Sequence, residues 1–229
     1  RAHNKDKMKN IAVFASGTGT NFNALAQAVR GKRLKVNLAL LVCDNPKAAV
    51  LNKAKRLRVK IALVRRGDFV TKKDFEKKIL RHLKNNKIDL VVMAGFMRIL
   101  SAGFVRAYKN RIINIHPALL PSFKGAQGIK DAFDYGVKVT GVSVHFVDEE
   151  MDHGPIILQE ALRIRESDNL KTLEARIHRI EHRLYAQAIK LIVGILAKIE
   201  AAFLAITNFS LEYFSLSILL YKNSSFPFK

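Results

Sequence analysis

The sequence predicts an α/β fold: a mostly parallel, mixed sheet with helices on both faces and an antiparallel extension towards the C-terminus. Short apolar runs alternate with amphipathic segments through the first half of the chain, which is typical of parallel strands buried on both faces. After Lys138 two alternating runs are joined by a Gly-Pro turn, which indicates an antiparallel pair. The 229 residues, 49% of them hydrophobic, are enough for one large core.

Five apolar runs predict the parallel strands. They are residues 11–15, 36–42, 61–64, 88–93 and a run around Asn114. Between them, apolar residues recur three or four positions apart, which is the spacing of a helix that buries one face. The expected helices cover residues 22–29, 48–57, 72–84 and 102–108. Because helices alternate with strands, neighbouring strands are expected to run parallel.

The C-terminal part of the chain departs from this pattern. Residues 139–147 and 156–164 are the expected antiparallel strands, and a long helix is expected from residue 170 to about residue 204. Residues 205–229 have no clear period, so we expect an atypical tail that is packed, partly disordered, or bound to a partner or a membrane surface. The expected organisation is one domain over residues 8–204, with residues 1–7 as a remnant upstream of a native start at Met8.

Positive charge is concentrated in the N-terminal part of the chain. Residues 1–87 carry 23 Lys and Arg against 5 Asp and Glu, whereas residues 88–229 carry 17 against 14. This charge favours phosphorylated metabolites, a polyanionic cofactor or nucleic acid as partners, although lysine-rich helix surfaces have the same composition. Aromatic residues are not interleaved with the basic ones, so no nucleic acid is expected. A single cysteine and no N-terminal apolar run predict a cytoplasmic protein without membrane association.

A glycine loop joins the first strand to the first helix. Its sequence is Ser-Gly-Thr-Gly-Thr-Asn over residues 16–21. The loop lacks the Lys-Ser/Thr pair of a Walker motif and the third glycine of the dinucleotide fingerprint. One interpretation is a tight turn in which Thr20 or Asn21 caps the helix. The strand–loop–helix context favours another, a site for a single phosphate at the helix N-terminus.

Asn114, His116 and Asp152 are the candidate catalytic residues. Strand side chains repeat every two residues, so Asn114 and His116 share one face of their strand, which Pro117 ends. Ligands of open α/β sheets bind at the carboxyl ends of strands. Asp152 precedes a His-Gly-Pro turn that fixes its direction and could return it to His116. An amide, an imidazole and a carboxylate together suit the transfer of a one-carbon acyl group.

Other polar positions carry weaker signals. His145 either lines the site or lies on the surface, and His82, His178 and His182 are expected to be solvated on helices. The Cys and His spacing shows no zinc pattern, so no metal is expected. Residues 93–101 leave a buried strand as an apolar loop, which is either ordinary core or one wall of a pocket for a flat heterocycle.

In combination, residues 11–21, 94–101, 113–121 and 141–159 resemble the phosphoribosylglycinamide formyltransferases, folate-dependent enzymes of purine synthesis. The resemblance covers about residues 8–195. It implies a Rossmann-like formyltransferase fold, in a monomer or homodimer. It also implies direct transfer of a formyl group, through a tetrahedral intermediate, from 10-formyltetrahydrofolate as co-substrate to the primary amine of glycinamide ribonucleotide.

The same resemblance assigns roles to individual residues. Asn114, His116 and Asp152 match the catalytic residues. The loop that holds the substrate phosphate corresponds to Gly19, Thr20 and Asn21, and Glu181 matches a substrate-binding glutamate. The folate-binding positions implied are Lys72, Met97, Arg98, Ile99, Leu100 and Asn114. Residues 123–129 match a variant of the family's loop that lacks a histidine.

Two alternatives stay open at this point. An enzyme like methionyl-tRNA formyltransferase uses the same Asn-x-His and Asp chemistry and would account for the basic half, although no β-rich tRNA-binding domain is evident. A non-catalytic, nucleic-acid-binding α/β domain would instead bind DNA or RNA with a steep dependence on salt.

Overall fold

Strands and helices alternate along most of the chain. The computed structural model describes residues 8–223, and it describes side chains through residue 202. The strands in this part are β1 (Asn10–Phe14), β2 (Asn37–Cys43), β3 (Lys60–Leu63), β4 (Leu90–Met93), β5 (Ile112–His116), β6 (Val139–Phe146) and β7 (Ile156–Arg163). The helices are α1 (Thr20–Arg30), α2 (Val50–Arg56), α3 (Lys72–Asn85), α4 (Ala102–Ala107), α5 (Gly128–Tyr135) and α6 (Leu170–Asn223), with a 3₁₀ turn at Arg66–Asp68.

One sheet contains all seven described strands, in the order β3-β2-β1-β4-β5-β6-β7. The pairs among β1 to β5 are parallel, and β6 pairs antiparallel with both β5 and β7. The α/β fold with a mostly parallel, mixed sheet and an antiparallel extension is therefore confirmed. Since parallel strands share one direction, β1, β4 and β5 end at the same edge of the sheet.

The core forms where the apolar strands meet the apolar face of α3. All four residues of β4 are buried, which explains its unbroken apolar sequence. Phe75, Ile79 and Leu83 recur four positions apart on α3 and pack in one cluster with residues of β1, β2 and β4. The spacing that predicted this helix is thus the spacing of its buried face.

The first part of α6 is fixed to the centre of the sheet by Tyr185. This side chain is fully buried, and its hydroxyl oxygen lies 2.7 Å from the carbonyl oxygen of Met93 and 3.1 Å from that of Ile113. The hydroxyl can donate to either carbonyl, so it ties the helix to the last residue of β4 and to the second residue of β5. The residues of α6 that precede Lys190 therefore have a fixed position beside these two strands.

Two segments differ from the sequence predictions. Helix α5 occupies Gly128–Tyr135, where the sequence predicted no helix, and α6 continues to Asn223, well past residue 204. The described residues up to Lys190 belong to one compact unit, and α6 continues from it into a second unit. The prediction for residues 1–7 and part of that for the tail lie outside the described residues, so the proposed domain limits stay predictions. Among the described residues, no helix is long and apolar enough to cross a membrane.

Candidate active site

A single row of paired residues crosses the sheet at its carboxyl edge. Phe14 pairs with Met93, Met93 with Asn114, and Asn114 with His145. The glycine loop after β1 and the apolar loop after β4 therefore begin next to each other, and Asn114 lies beside them. Their backbones are also joined, because the amide of Ser16 donates to the carbonyl of Gly95 at 3.0 Å. The sheet thus brings together three segments that the sequence had marked separately.

The glycine loop leaves the N-terminus of α1 open. Gly19 is the N-cap residue with φ +70°, in the left-handed region, and within the described part of the chain no side chain caps the helix. A Cβ atom at Gly19 would lie 2.4 Å from Cγ2 of Val50, so both the backbone angle and the contact require glycine. The alternative that Thr20 or Asn21 caps the helix is therefore wrong. Without an acidic residue in the first turn, the free N–H groups and the helix dipole favour an anion here.

Asp152 lies within contact of both Asn114 and His116. Asp152 Oδ2 is 3.5 Å from Nδ1 of His116, and Asp152 Oδ1 is 3.4 Å from the amide nitrogen of Asn114. His116 is almost fully buried, with 3% of its surface exposed, while Asn114 is half-buried. The distance between Asp152 and His116, which the sequence could not give, is thus short. One carboxylate contacts both residues of the Asn-x-His pair.

Asp152 reaches the strand because the β6–β7 connection turns sharply. Its φ is +48°, which is in the left-handed region that aspartate tolerates better than most residues. Two residues on, a Cβ atom at Gly154 would lie 2.0 Å from the carbonyl oxygen of Phe146, so only glycine fits there. The backbone amide of Gly125 then donates to Asp152 Oδ2 at 2.9 Å and holds the carboxylate in place.

The surroundings of Asp152 keep it ionised at neutral pH. Burial alone would raise the pKa of this carboxyl group, but the contact with His145, the hydrogen bond from the Gly125 amide and the nearby ring of His116 outweigh burial, so the pKa is lowered. A carboxylate with a lowered pKa is a proton acceptor and a partner for a cation rather than a proton donor.

His145 belongs to the site, which the sequence left open. It is buried, and its Nε2 lies 3.2 Å from the amide nitrogen of Asn114 and 3.6 Å from Asp152 Oδ1. Its Nδ1 faces the carbonyl oxygen of Phe146 at 2.8 Å, so Nδ1 carries a proton. The period-two pattern placed His145 on the polar face of β6, but only the antiparallel pairing with β5 brings it opposite Asn114.

The other ring nitrogen of His116 contacts the loop that the sequence could not interpret. Nε2 lies 2.7 Å from the carbonyl oxygen of Phe123, which can only accept a hydrogen bond. A Cβ atom on Gly128 would come within 3.1 Å of the same nitrogen. The backbone just before α5 therefore packs directly on the imidazole, and a glycine is needed at that point.

A second polar cluster connects α1 with α6. The amide of Asn21 donates to Glu181 Oε2 at 3.1 Å, and Nδ1 of His178 lies 2.8 Å from the same oxygen. Glu181 and Asn21 are both buried. The hydrogen bond with Glu181 raises the pKa of His178 against the opposing effect of burial, whereas burial, followed by nearby positive charges, lowers the pKa of His182.

The expectation that these two helix histidines are solvated holds only in part: the His178 side chain is 43% exposed but pairs with Glu181, and one ring nitrogen of His182 is buried. Both lie near the buried Glu181 on α6, and the Nε2 atom of His182 is buried without a hydrogen-bond partner among the described residues. The sequence shows the charged residues around these histidines, but not which side of the helix faces the glycine loop.

The loop after β4 presents apolar side chains and free backbone groups. Met97 and Ile99 are 72% and 63% exposed, whereas Leu100 is buried. Within the described part of the chain, residues 97–100 form no backbone–backbone hydrogen bond. The side chain of Arg98 is engaged by Asp44, which also accepts from the hydroxyl of Ser16. A ligand at this loop would therefore meet open backbone groups between two exposed apolar side chains.

Lys72 lies one helical turn from the residue that anchors this loop. Its Nζ is 4.0 Å from Oε1 of the buried Glu76. The same oxygen accepts a hydrogen bond from the backbone amide of Ser101 at 2.8 Å. Lys72 is thus near the end of the 97–100 segment, with nearly half of its side chain exposed to solvent. In the part of the chain that the structure describes, no cluster of three or more His, Cys, Asp or Glu residues could hold a metal ion.

The chain is similar to known formyltransferases over most of its length. A family model described as "Formyl transferase" matches residues 9–189. Phosphoribosylglycinamide formyltransferase of Bacillus subtilis is 43% identical over 188 residues, which are 82% of this chain and 96% of that protein. The trifunctional purine biosynthetic protein adenosine-3 of Gallus gallus is 39% identical over 184 residues, but the match spans only 18% of that longer protein.

Solved structures agree with this match. Glycinamide ribonucleotide transformylase 1 from Geobacillus kaustophilus superposes with a TM-score of 0.80 at 44% identity, over 82% of this chain and all of that one. Phosphoribosylglycinamide formyltransferase from Bacillus halodurans gives a TM-score of 0.79 at 42% identity, over 81% of this chain and 95% of that one. The resemblance inferred from the motifs is confirmed, and the chain belongs to the formyl transferase family.

Proposed function

We propose that this chain transfers the formyl group of 10-formyltetrahydrofolate to the primary amine of glycinamide ribonucleotide, a step of de novo purine synthesis. The observation that carries the proposal is the contact of Asp152 with both Asn114 and His116 beside an open glycine loop. The Bacillus subtilis relative, which this chain matches over 96% of its length, bears the name of the same activity.

The acceptor occupies the glycine loop in this proposal. Gly19, Thr20 and Asn21 present backbone N–H groups at the start of α1, where a phosphate monoester is stabilised by the helix dipole. Glu181 is a buried carboxylate held by Asn21 and His178, so it is fixed in position and can accept hydrogen bonds from sugar hydroxyls.

The folate binds along the loop after β4. Its pteridine ring is held by the backbone of residues 97–100, whose polar groups have no backbone partner among the described residues, and is covered by the exposed Met97 and Ile99. Arg98 contributes through its backbone, since its side chain is paired with Asp44. Lys72, whose side chain is about half exposed and contacts Glu76, attracts the carboxylates of the folate tail.

The reaction is direct acyl transfer. The substrate amine attacks the formyl carbon and forms a tetrahedral intermediate whose oxygen carries negative charge. Asn114 turns its amide N–H from Asp152 towards this oxygen, and a single preorganised donor of this kind contributes about 3 kcal/mol. His116 supports the intermediate beside Asn114: its Nε2 donates to the Phe123 carbonyl, and its Nδ1 lies 3.5 Å from the Asp152 carboxylate.

Asp152 moves the proton that the reaction releases. The attacking amine becomes more acidic as the new bond forms, while the folate nitrogen needs a proton to leave. An ionised carboxylate, kept so by its lowered pKa, accepts the amine proton directly or through a water and delivers it to the departing nitrogen. The transfer needs no metal. The enzyme acts as a cytoplasmic monomer or homodimer, without nucleic acid or membrane as a partner.

Thermal denaturation with each ligand separates this function from nucleic-acid binding. Reduced folate and glycinamide ribonucleotide should each raise the melting temperature with increasing concentration, because a ligand that binds only the folded state stabilises it. The Asn114→Ala variant should bind both ligands and turn over at least about a hundredfold more slowly. No shift with either ligand, together with salt-dependent binding of generic RNA, would refute the proposal.

A further inference from the structure

We propose that a pocket at the start of α6 binds the phosphate group of a small phosphorylated ligand, at a site separate from the candidate active site. The pocket has a volume of about 340 Å³ and lies between the β7–α6 connection and the first turns of α6. None of its lining residues belongs to the glycine loop, the loop after β4 or the cluster around Asp152. Its charged lining residues are Arg165, Asp168, Arg176 and Arg179.

Positive charge exceeds negative charge in this pocket. Three arginines line it together with one aspartate, which leaves an excess of two positive charges. A phosphate monoester carries about 1.5 to 2 negative charges at pH 7, whereas a carboxylate carries one. The guanidinium group also matches phosphate oxygens with two parallel N–H donors. Charge and donor geometry therefore both favour a terminal phosphate over a carboxylate.

One arginine and the aspartate form a fixed wall of the pocket. Arg176 pairs with Asp168, and its Nη2 donates to the carbonyl oxygen of Arg163 at 2.9 Å. The side chains of Arg176 and Asp168 are only 16% and 5% exposed. The backbone amide of Arg165 donates to Asp168 at 2.9 Å, which holds the connection that carries Arg165. The wall is thus formed without a ligand, and this lowers the ordering cost of binding one.

Arg165 and Arg179 are left to contact a ligand. Both residues are exposed, and within the part of the chain that the structure describes no hydrogen bond or ion pair engages either guanidinium group. Arg179 follows Arg176 by three positions, so the two share a face of α6, while Arg165 lines the pocket from the preceding connection. Unused donors therefore border the pocket on two sides.

The N-terminus of α6 does not itself provide the site. Asn169 caps the helix: its Oδ1 accepts from the backbone amide of Thr172 at 2.9 Å, and its own amide donates to the Thr172 hydroxyl at 2.9 Å. This reciprocal arrangement satisfies two of the N–H groups that an anion could otherwise contact. The arginine side chains are therefore the groups that would recognise a phosphate here.

NMR titration of the arginine side chains with inorganic phosphate tests this site, in the full chain and at constant ionic strength. The guanidinium signals of Arg165 and Arg179, assigned with Arg165→Gln and Arg179→Gln, should shift and saturate. In the double variant, the signal of Arg176 should report a phosphate affinity weakened by at least about tenfold, because charged hydrogen bonds are lost. The matched control, Lys171→Gln with Arg183→Gln, removes two charges from α6 outside the pocket and should behave as the wild type.

Adenosine monophosphate distinguishes two sources of the phosphate group. An affinity no tighter than that of inorganic phosphate would assign the pocket to the free anion, and a tighter one to the phosphate of a nucleotide-sized metabolite. Shifts that do not saturate, or equal weakening in the control variant, would overturn the proposal, because the arginines would then respond only to overall charge. Formyl transfer is not part of this readout, so a failure of the proposed function would be distinguishable from a failure of this site.

Discussion

Replacing Asp152 with asparagine tests the centre of the site with little change of shape. The asparagine carbonyl can still accept from the Gly125 amide, which now donates to the carboxylate at 2.9 Å. The substitution removes the negative charge that lies 3.5 Å from Nδ1 of His116. It also puts an NH₂ group in the place of one carboxylate oxygen, so the group that accepts and passes on the proton is lost.

The size of the effect follows from these contacts. A unit charge at this separation from another interacts with it by about 5 kcal/mol at an effective dielectric constant near 20, so the carboxylate is a strong electrostatic feature of the site. A positioned acid–base group contributes about 10²- to 10⁴-fold in rate. We therefore expect kcat to fall by about 10³-fold, which corresponds to about 4 kcal/mol in activation free energy.

Rapid-quench or steady-state assays of formyl transfer measure this loss. The KM for glycinamide ribonucleotide should change little, because Asp152 does not contact the glycine loop in the structure. Asp148→Asn is the control: Asp148 lies on the same connection and pairs with the exposed His153 at 2.8 Å. A kcat for Asp152→Asn within about tenfold of the wild type, in a protein of normal stability, would refute the assigned role.

Three further substitutions have defined outcomes. Gly19→Ala should destabilise the fold by about 1–3 kcal/mol in urea denaturation and weaken substrate binding, because its Cβ meets Val50; unchanged values would contradict the tight loop. His145→Gln should raise the pKa of Asp152 in a carboxyl NMR titration. The stability that this carboxylate contributes is lost as pH falls through its lowered pKa, so in the variant the loss should begin at higher pH. Tyr185→Phe should cost about 1–2 kcal/mol of unfolding free energy with nearly normal kcat, since its hydroxyl serves two buried carbonyls.

The sheet could be predicted because its signals are local. Apolar runs located all seven described strands to within about two residues, and the Asn-x-His alternation identified the pair on β5. Helix α5 was missed because its eight residues are too few to show a periodic pattern. Only Gly128 and Ala132 of this helix are buried. The end of α6 was missed because its sequence beyond residue 204 has no clear apolar face.

Only those site residues that lie together on one short segment could be predicted with their arrangement. The distance from Asp152 to His116 depends on a left-handed residue and on the pairing of β6 with β5, which no local pattern encodes. The same strand pairing places His145 opposite Asn114, inside the site. The contact of His178 with Glu181, and of Glu181 with Asn21, depends on how α6 packs against α1, so tertiary packing rather than sequence spacing selects these residues.

One measurement tests the central claim most directly: incubation of the purified protein with 10-formyltetrahydrofolate and glycinamide ribonucleotide, with both products quantified. We predict that tetrahydrofolate and formylglycinamide ribonucleotide appear in equal amounts, and that neither forms when Asn114 and Asp152 are both replaced by alanine. Release of tetrahydrofolate and formate without formylation of the amine, or equal turnover by the double variant, would contradict direct transfer at this site.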